Sequence, residues 1–226
     1  MKPSDSIAQK IEAISATLPT EATLIAVSKY HPAEAIIEAY TAGQRHFGES
    51  KAQDLVKKHD ALPKDICWHF IGHLQSNKIK YIAPFIHLIH SIDSLRLLQE
   101  VDKQGAKHNR KIPCLLQIHI AQEETKFGFS FEECRAMLEE GQWKKLTHIS
   151  IAGVMGMATN TDDENCIVKE FQSLVNFFHE LKQTHFAHHS SFKEISMGMS
   201  DDYPLAIAEG STLVRIGSKI FGNRNY

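Results

Sequence analysis

Apolar positions along the chain follow two alternating rhythms. Near the start, Ile7, Ile11, Ile14 and Leu18 recur every three or four residues, the stripe of an amphipathic helix over residues 4–18 that Pro19 stops. From Leu24 onward, short continuous apolar runs alternate with helix-period stretches. The runs at 24–28, 45–47, 67–71, 85–90, 112–121, 148–157, 192–197 and 212–216 read as strands, the run at 112–121 being the longest. The stretches at 32–42, 50–58, 75–83, 94–105, 131–140, 162–182, 201–209 and 218–221 read as helices or short helical turns. Strict alternation argues for parallel strands, because each return crossing needs a helix, and continuous apolar runs suit strands buried on both faces. Eight β-then-α units after a leading helix (residues 1–20) predict an α/β chain folded as a small closed (β/α)8 TIM barrel, one domain over residues 1–226. An open doubly wound sheet satisfies the same periodicity.

Composition narrows the class of partner. Of 226 residues, 42% are hydrophobic and 23% charged, with a formal net charge of -2, so neither nucleic acid nor an anionic membrane is the expected partner. No apolar run approaches the length of a membrane span, and the polar first ten residues lack the apolar core of a signal peptide. Cys67, Cys114, Cys134 and Cys166 are scattered without C-x-x-C spacing, the usage of free thiols in a reducing compartment. A cytoplasmic protein is expected.

Candidate chemistry concentrates where strands end. Lys29 follows the apolar run at 24–28, at the carboxyl end of a buried strand where α/β folds place their ligands. An amine there is poorly solvated as an ammonium ion and so is freed to attack a carbonyl carbon. A lysine snorkelling to solvent from a strand end is the plainer reading of this stretch alone. Two later loops change the balance. Ser200 follows the seventh strand; Arg215, Gly217 and Ser218 lie on and after the eighth. The loops after strands seven and eight are the usual phosphate site of such barrels, and Gly217, Ser200 and Ser218 supply close backbone approach and hydroxyl donors. Turn chemistry and helix capping explain the same residues taken singly. In a closed barrel the first strand adjoins the eighth, which sets an amine beside a phosphate cradle, the geometry a pyridoxal phosphate site requires.

A set of motifs in one order carries a family resemblance: A-V-S-K ending at Lys29, H-F-G-E at 46–49, W-H-F-I-G-H-L-Q-S-N-K at 68–78, G-V-M-G-M at 153–157, S-M-G-M-S-D-D at 196–202 and R-I-G-S-K-I-F-G at 215–222. In that order they resemble the YggS (PLPBP/PROSC) family of pyridoxal phosphate homeostasis proteins, over nearly the whole chain. The resemblance implies a barrel like the N-terminal domain of alanine racemase, that is, fold type III among pyridoxal phosphate proteins. It implies that Lys29 forms the Schiff base with pyridoxal 5'-phosphate, that Ser200, Gly217 and Ser218 hold the phosphate, and that Arg215 lies near the pyridine nitrogen. An arginine keeps its proton and donates to an unprotonated ring nitrogen, which leaves the ring a weaker electron sink than one paired with an aspartate. Where family members commonly carry asparagine after the G-E of the second strand, this chain has Ser50, whose shorter side chain leaves a water-bridged hydrogen bond as its route to the cofactor.

Two kinds of function follow. The first is a protein that binds, buffers or delivers pyridoxal phosphate without turnover, with apo pyridoxal phosphate enzymes as partners and a monomer as the expected state. The second is an amino-acid racemase or related fold-type III enzyme. A two-base racemase needs an acid/base on each face of the substrate carbon. The comparison implies that alanine racemases take the second, a tyrosine, from a C-terminal β-domain, and no such domain is expected in a chain ending at Tyr226. Tyr30, Tyr40, Tyr81, Tyr203 and Tyr226 offer no obvious replacement, although Tyr30, beside Lys29, stays open as one. An aldolase-type Schiff-base lysine fits the bare chemistry of Lys29 as well.

The remaining features have plainer readings. His185, His188 and His189, with His87 and His90 elsewhere, lack a recognised metal-ligand spacing and read as exposed polar histidines, so no metal is expected. His73, Gln75, Ser76, Asn77 and Lys78 read as a loop lining the site. Met155, Met157, Met197 and Met199 read as packing at the barrel mouth, and Lys126, Phe127 and Gly128 as a cover.

Overall fold

The computed structural model of the protein describes residues 6–123 and 127–222. Among the described residues eight strands form: β1 (Thr23–Val27), β2 (His46–Glu49), β3 (Cys67–Phe70), β4 (Leu88–Ile92), β5 (Ile112–Gln117), β6 (Ile149–Met155), β7 (Glu194–Ser196) and β8 (Leu213–Ile216). They pair in chain order and close into a barrel with β8 against β1, every pairing parallel. The ring therefore has no edge, and the open doubly wound alternative is excluded.

The helices follow the strands in turn: α1 (Ile7–Ser15) leads, then come α2 (Ala33–Thr41), α3 (Ala52–Ala61), α4 (Ile79–Ile82), α5 (Leu95–Lys107), α6 (Phe131–Glu139), α7 (Glu164–Thr184), α8 (Tyr203–Ala208) and α9 (Ser218–Phe221). The leading helix starts on a capping box, in which the Gln9 amide donates to Ser6 Oγ at 3.2 Å and the Ser6 amide to Gln9 Oε1 at 2.9 Å. It buries Ile11 and Ile14. Strand residues alternate between two cores. Outward side chains such as Phe47, Trp68, Ile89 and Val214 pack under the helices, while Ile25, Leu88, Leu115, Ala152, Met155 and Leu213 form a separate cluster. Each large apolar side chain so buried contributes about 1.5–3 kcal/mol relative to exposure. Gly153 shows what closure requires. Its φ is 154°, and a Cβ built there would lie 1.8 Å from the carbonyl oxygen of Glu194, so only glycine lets β7 approach β6. The β5–β6 register shifts at the same level, between Cys114 and Leu115.

Several boundaries differ from the sequence expectation, and three of the differences have a visible physical reason. β5 ends at Gln117 because the apolar run beyond it pairs elsewhere: Ile118 bridges Phe129, and the amide of His119 donates to the Phe129 carbonyl at 2.8 Å. β4 begins at Leu88 because Phe85 and Ile86 finish the preceding helical turn, both amides donating to the Ile82 carbonyl, and Phe85 stacks on His59 at 3.7 Å. The helix expected at 75–83 is a 3-10 turn (Ser76–Lys78) running into α4, and a second 3-10 turn, Gln142–Lys145, buries Trp143 in a stretch without apolar period. Among the described residues no helix is long and apolar enough to cross a membrane.

Candidate functional site

The first and last strands meet. Ile25 pairs with Arg215 and Ala26 with Ile216, so the segments leaving β1 and β8 emerge side by side at the carboxyl end of the barrel. A cavity of about 270 Å³ opens there, and all five predicted site residues, Lys29, Ser200, Arg215, Gly217 and Ser218, line it, with Ser50 and Met157 at its wall. The volume lies near the lower end of the range for small-molecule sites, roughly 300–1,000 Å³.

Lys29 is half-buried in a tight turn closed by the His31 amide donating to the Ser28 carbonyl at 3.0 Å. Tyr30, exposed, occupies the left-handed region with φ 68°, a conformation that costs a non-glycine residue of order 1 kcal/mol and persists only when its surroundings hold it. Lys51 Nζ lies 5.3 Å from the Tyr30 ring, and the start of the turn is held by an ion pair absent from the sequence reading. Lys58 on α3 donates to the Ser28 carbonyl at 2.7 Å and to Glu49 Oε2 at 2.6 Å, and the other Glu49 oxygen accepts the Ser50 amide at 2.7 Å. Glu49 is 1% exposed and the Lys58 side chain 12%. The pair ties the turn that carries Lys29 to β2 and α3.

On the opposite wall, the Gly217 amide donates to Ser200 Oγ at 3.3 Å, joining the loops after β7 and β8. A Cβ at Gly217 would lie 3.2 Å from the Val27 carbonyl oxygen and 3.3 Å from Val27 Cβ, tighter than ordinary contact, so the loop lies against β1 because this residue has no side chain. Ser218 opens α9, whose first amides have no intrahelical acceptor. Arg215, 4% exposed, donates through Nη1 to Ser196 Oγ and through Nη2 to the Gly156 carbonyl at 3.0 Å. Burial pushes its pKa down to about 10, partly offset by Asp202, so it stays protonated at neutral pH.

Below Arg215 the barrel interior holds a file of hydrogen-bonded side chains. His46 Nδ1 lies 2.9 Å from His69 Nε2, His69 Nδ1 lies 2.9 Å from His90 Nε2, and His90 Nδ1 lies 2.9 Å from Ser196 Oγ. Burial holds His69 and His90 well below the ordinary histidine range, with neighbouring rings and Arg215 adding to the effect. Each neutral ring has one donor and one acceptor, so the file is self-consistent in either direction. His90 corrects the sequence reading: it is not an exposed polar residue but fully buried, facing inward from the middle of β4. His188 and His189 are exposed as expected. A polar residue inside each apolar run, His69 within Cys67–Phe70 and His90 within Leu88–Ile92, was the signal available for this file.

Other expectations shift by one cavity. His73, Gln75, Ser76 and Asn77 line a neighbouring open cleft of about 530 Å³ and are not among the residues lining the cavity of Lys29. Phe127 stacks on His73 at 4.0 Å, on that neighbouring side, and Lys126 lies outside the described residues, as does Tyr226. Met155 and Met197 are buried, whereas Met157 and Met199 line the cavity.

A parallel eight-strand barrel with a lysine after β1 and a serine–glycine cradle after β7 and β8 defines a class of protein, and residues 4–225 match the family model described as the alanine racemase N-terminal domain. The chain belongs to that family, and within it to the pyridoxal phosphate homeostasis proteins. A protein of that name from Aquifex aeolicus is 35% identical over 206 residues, 91% of this chain and 88% of the relative. One from Vibrio alginolyticus is 36% identical over 98% of this chain and 99% of the relative. Among solved structures, PipY of Synechococcus elongatus PCC7942 without PLP superposes with a TM-score of 0.90 at 37% identity, covering 96% of this chain and 100% of that one, and its PLP-bound form superposes at 0.87. Alanine racemase from Clostridium difficile superposes at 0.74 with 12% identity, over 97% of this chain and 57% of that one, which is a likeness of fold.

Proposed function

We propose that this chain binds pyridoxal 5'-phosphate at the carboxyl end of its barrel and buffers or delivers it inside the cell without turnover of its own. The observation that carries the reading is the convergence of Lys29, Arg215 and the Ser200–Gly217–Ser218 cradle on one cavity, with a full-length relative of known structure, PipY, described with PLP bound. The cradle meets a physical test: its loop packs where a Cβ at Gly217 would crowd Val27, and hydroxyls from two loops face the same space. When bound, the cofactor supplies an aldehyde that condenses reversibly with an amine.

The roles of the chain's own groups follow from position. Lys29 offers its amine from a turn held by the Glu49–Lys58 pair. Ser200 and Ser218 hold the phosphate with amides of the loop after β8. Arg215 donates from beneath toward the ring nitrogen and, being permanently protonated at neutral pH, leaves that nitrogen without a proton of its own. Such a ring withdraws electrons weakly, which suits holding a cofactor better than carbanion chemistry. The names of the relatives favour a homeostatic role, and among the described residues no tyrosine lines the cavity to act as a second base opposite Lys29. Apo pyridoxal phosphate enzymes are the proposed recipients, the proposed state is a monomer and the proposed compartment the cytoplasm.

The test is spectroscopic. The protein is expected to turn yellow with pyridoxal phosphate and to lose the colour on borohydride reduction, with the cofactor fixed on the Lys29 peptide. Lys29→Ala abolishes fixation and retains weak binding through the phosphate loops. A protein that stays colourless with added cofactor overturns the reading. Conversion of L-alanine to its D-isomer at about one turnover per second or faster replaces the carrier with a racemase.

A further inference from the structure

The opposite end of the barrel carries a group of side chains that the cofactor reading leaves without a role. His46 is the first residue of β2, His87 immediately precedes β4, and His69 reaches the same place from the interior. One ring nitrogen from each lies within 4.8 Å of the other two. The ring centroids of His87 stand 5.5 Å from His46 and 5.2 Å from His69. We propose that His46, His69 and His87 bind one divalent transition-metal ion, zinc or another ion that prefers imidazole, at the amino end of the barrel.

The donor set and its geometry support this. Three neutral imidazoles suit zinc, with nitrogen–metal distances of about 2.0–2.1 Å. Two such ligands on a tetrahedral ion stand about 3.3 Å apart by the same distances. His46 Nδ1 and His69 Nε2, now 2.9 Å apart, reach that by opening a few tenths of an ångström. His87 is exposed, so its ring is free to swing in as the third ligand, leaving a fourth position for water.

What lies behind the ligands is the stronger argument. A metal-ligating histidine nearly always donates its other ring N–H to a fixed acceptor. If His69 binds through Nε2, its Nδ1–H has an acceptor in place, His90 Nε2 at 2.9 Å, and His90 Nδ1–H then donates to Ser196 Oγ at 2.9 Å. One direction of the file is thereby selected, up to the hydroxyl that already accepts from Arg215. The charged neighbours are balanced. Arg110 faces His87 but is engaged by the carbonyls of Ala83 and Ile86, while Glu194 lends negative charge to His87 from β7, its carboxylate accepting from Thr212 Oγ1 at 2.7 Å and lying 3.7 Å from Lys193 Nζ.

The experiment titrates tag-free, cofactor-free protein with cobalt(II) and zinc(II) chloride. The expected result is one equivalent bound at micromolar affinity or tighter, with the visible ligand-field bands of tetrahedral cobalt displaced by zinc. His87→Ala, at the rim of the barrel, lowers affinity at least about tenfold, since even outer partners of a ligand carry 10–100-fold. His188→Ala leaves it unchanged. Absence of saturable binding, or affinity unaltered by both His87→Ala and His46→Ala, overturns the proposal. Because cofactor is absent throughout, the outcome is separate from that of the colour test.

Discussion

Replacing Lys58 by methionine tests whether the turn bearing Lys29 is held from below. The ammonium group donates to Glu49 Oε2 at 2.6 Å and to the Ser28 carbonyl at 2.7 Å, and the carboxylate it serves is 1% exposed. Methionine fills much the same volume but leaves Glu49 charged, dry and partnered only by the Ser50 amide. Removing one member of a buried ion pair costs about 3–5 kcal/mol, and the residual access of solvent to Lys58 puts this case near 3 kcal/mol. For a chain of this length roughly 2 °C is lost per kcal/mol, so the melting midpoint of the cofactor-free protein falls by about 6 °C. Restoring neutrality with Glu49→Gln in the same chain recovers part of the loss, and the double-mutant cycle returns a coupling of at least about 1 kcal/mol. The measurement is thermal unfolding followed by circular dichroism for the parent, both single variants and the double variant. Cofactor affinity, titrated by absorbance, falls with Lys58→Met because the Ser28 carbonyl loses its tether. A midpoint within a degree or two of the parent, or strictly additive single effects, refutes the idea that this pair holds the turn.

Further outcomes follow from the same geometry. Gly217→Ala crowds Val27 at 3.2–3.3 Å, so it costs about 1–3 kcal/mol of overpacking and weakens binding of the phosphate-bearing cofactor more than that of pyridoxal itself, which a pair of absorbance titrations resolves. Arg215→Met removes the donor proposed for the ring nitrogen and leaves the Gly156 carbonyl without it; the absorbance maximum of the bound cofactor moves, and an unmoved maximum shows that Arg215 does not reach the ring. Burial raises the Cys134 thiol to about 12 and Cys114 further still, so the thiolate needed for attack on a disulfide reagent is scarce at pH 8 and grows about tenfold per pH unit. Both stay unlabelled in the folded protein and react at once on denaturation; labelling of either at the rate of a free thiol at pH 8 contradicts the packing.

The strands and the cofactor-side residues were legible because two strong regularities govern them. Alternation of apolar runs with helical stripes implies parallel strands, and in such sheets ligands sit where strands end, so Lys29, Ser200, Gly217 and Ser218 were expected on one cavity without knowing any contact, while Arg215, which lines it too, was singled out by the family resemblance. What escaped depends on which side of a strand a residue faces and on neighbours brought together by closure. Glu49 reads as one more charge before a helix until Lys58, one helix away, covers it. His46, His69 and His90 sit on three separate strands, and only the inward side of the pleat makes them a file. The end of β5 was missed for a related reason: Ile118 and Ile120 are as apolar as a strand demands, yet their burial comes from a returning loop and from contact with Gly156.

The adjacency of β1 and β8 has a consequence in time as well as in space. In the proposed assignment half of the grip on the ligand comes from the first thirty residues and the other half from beyond residue 196, so the two jaws meet only when the last stave is laid in the ring. A nascent chain still threaded through the ribosomal tunnel at its final stave has the amine but not the anion seat. On that assignment, capture of the vitamin reports that both jaws have been made and the ring has closed.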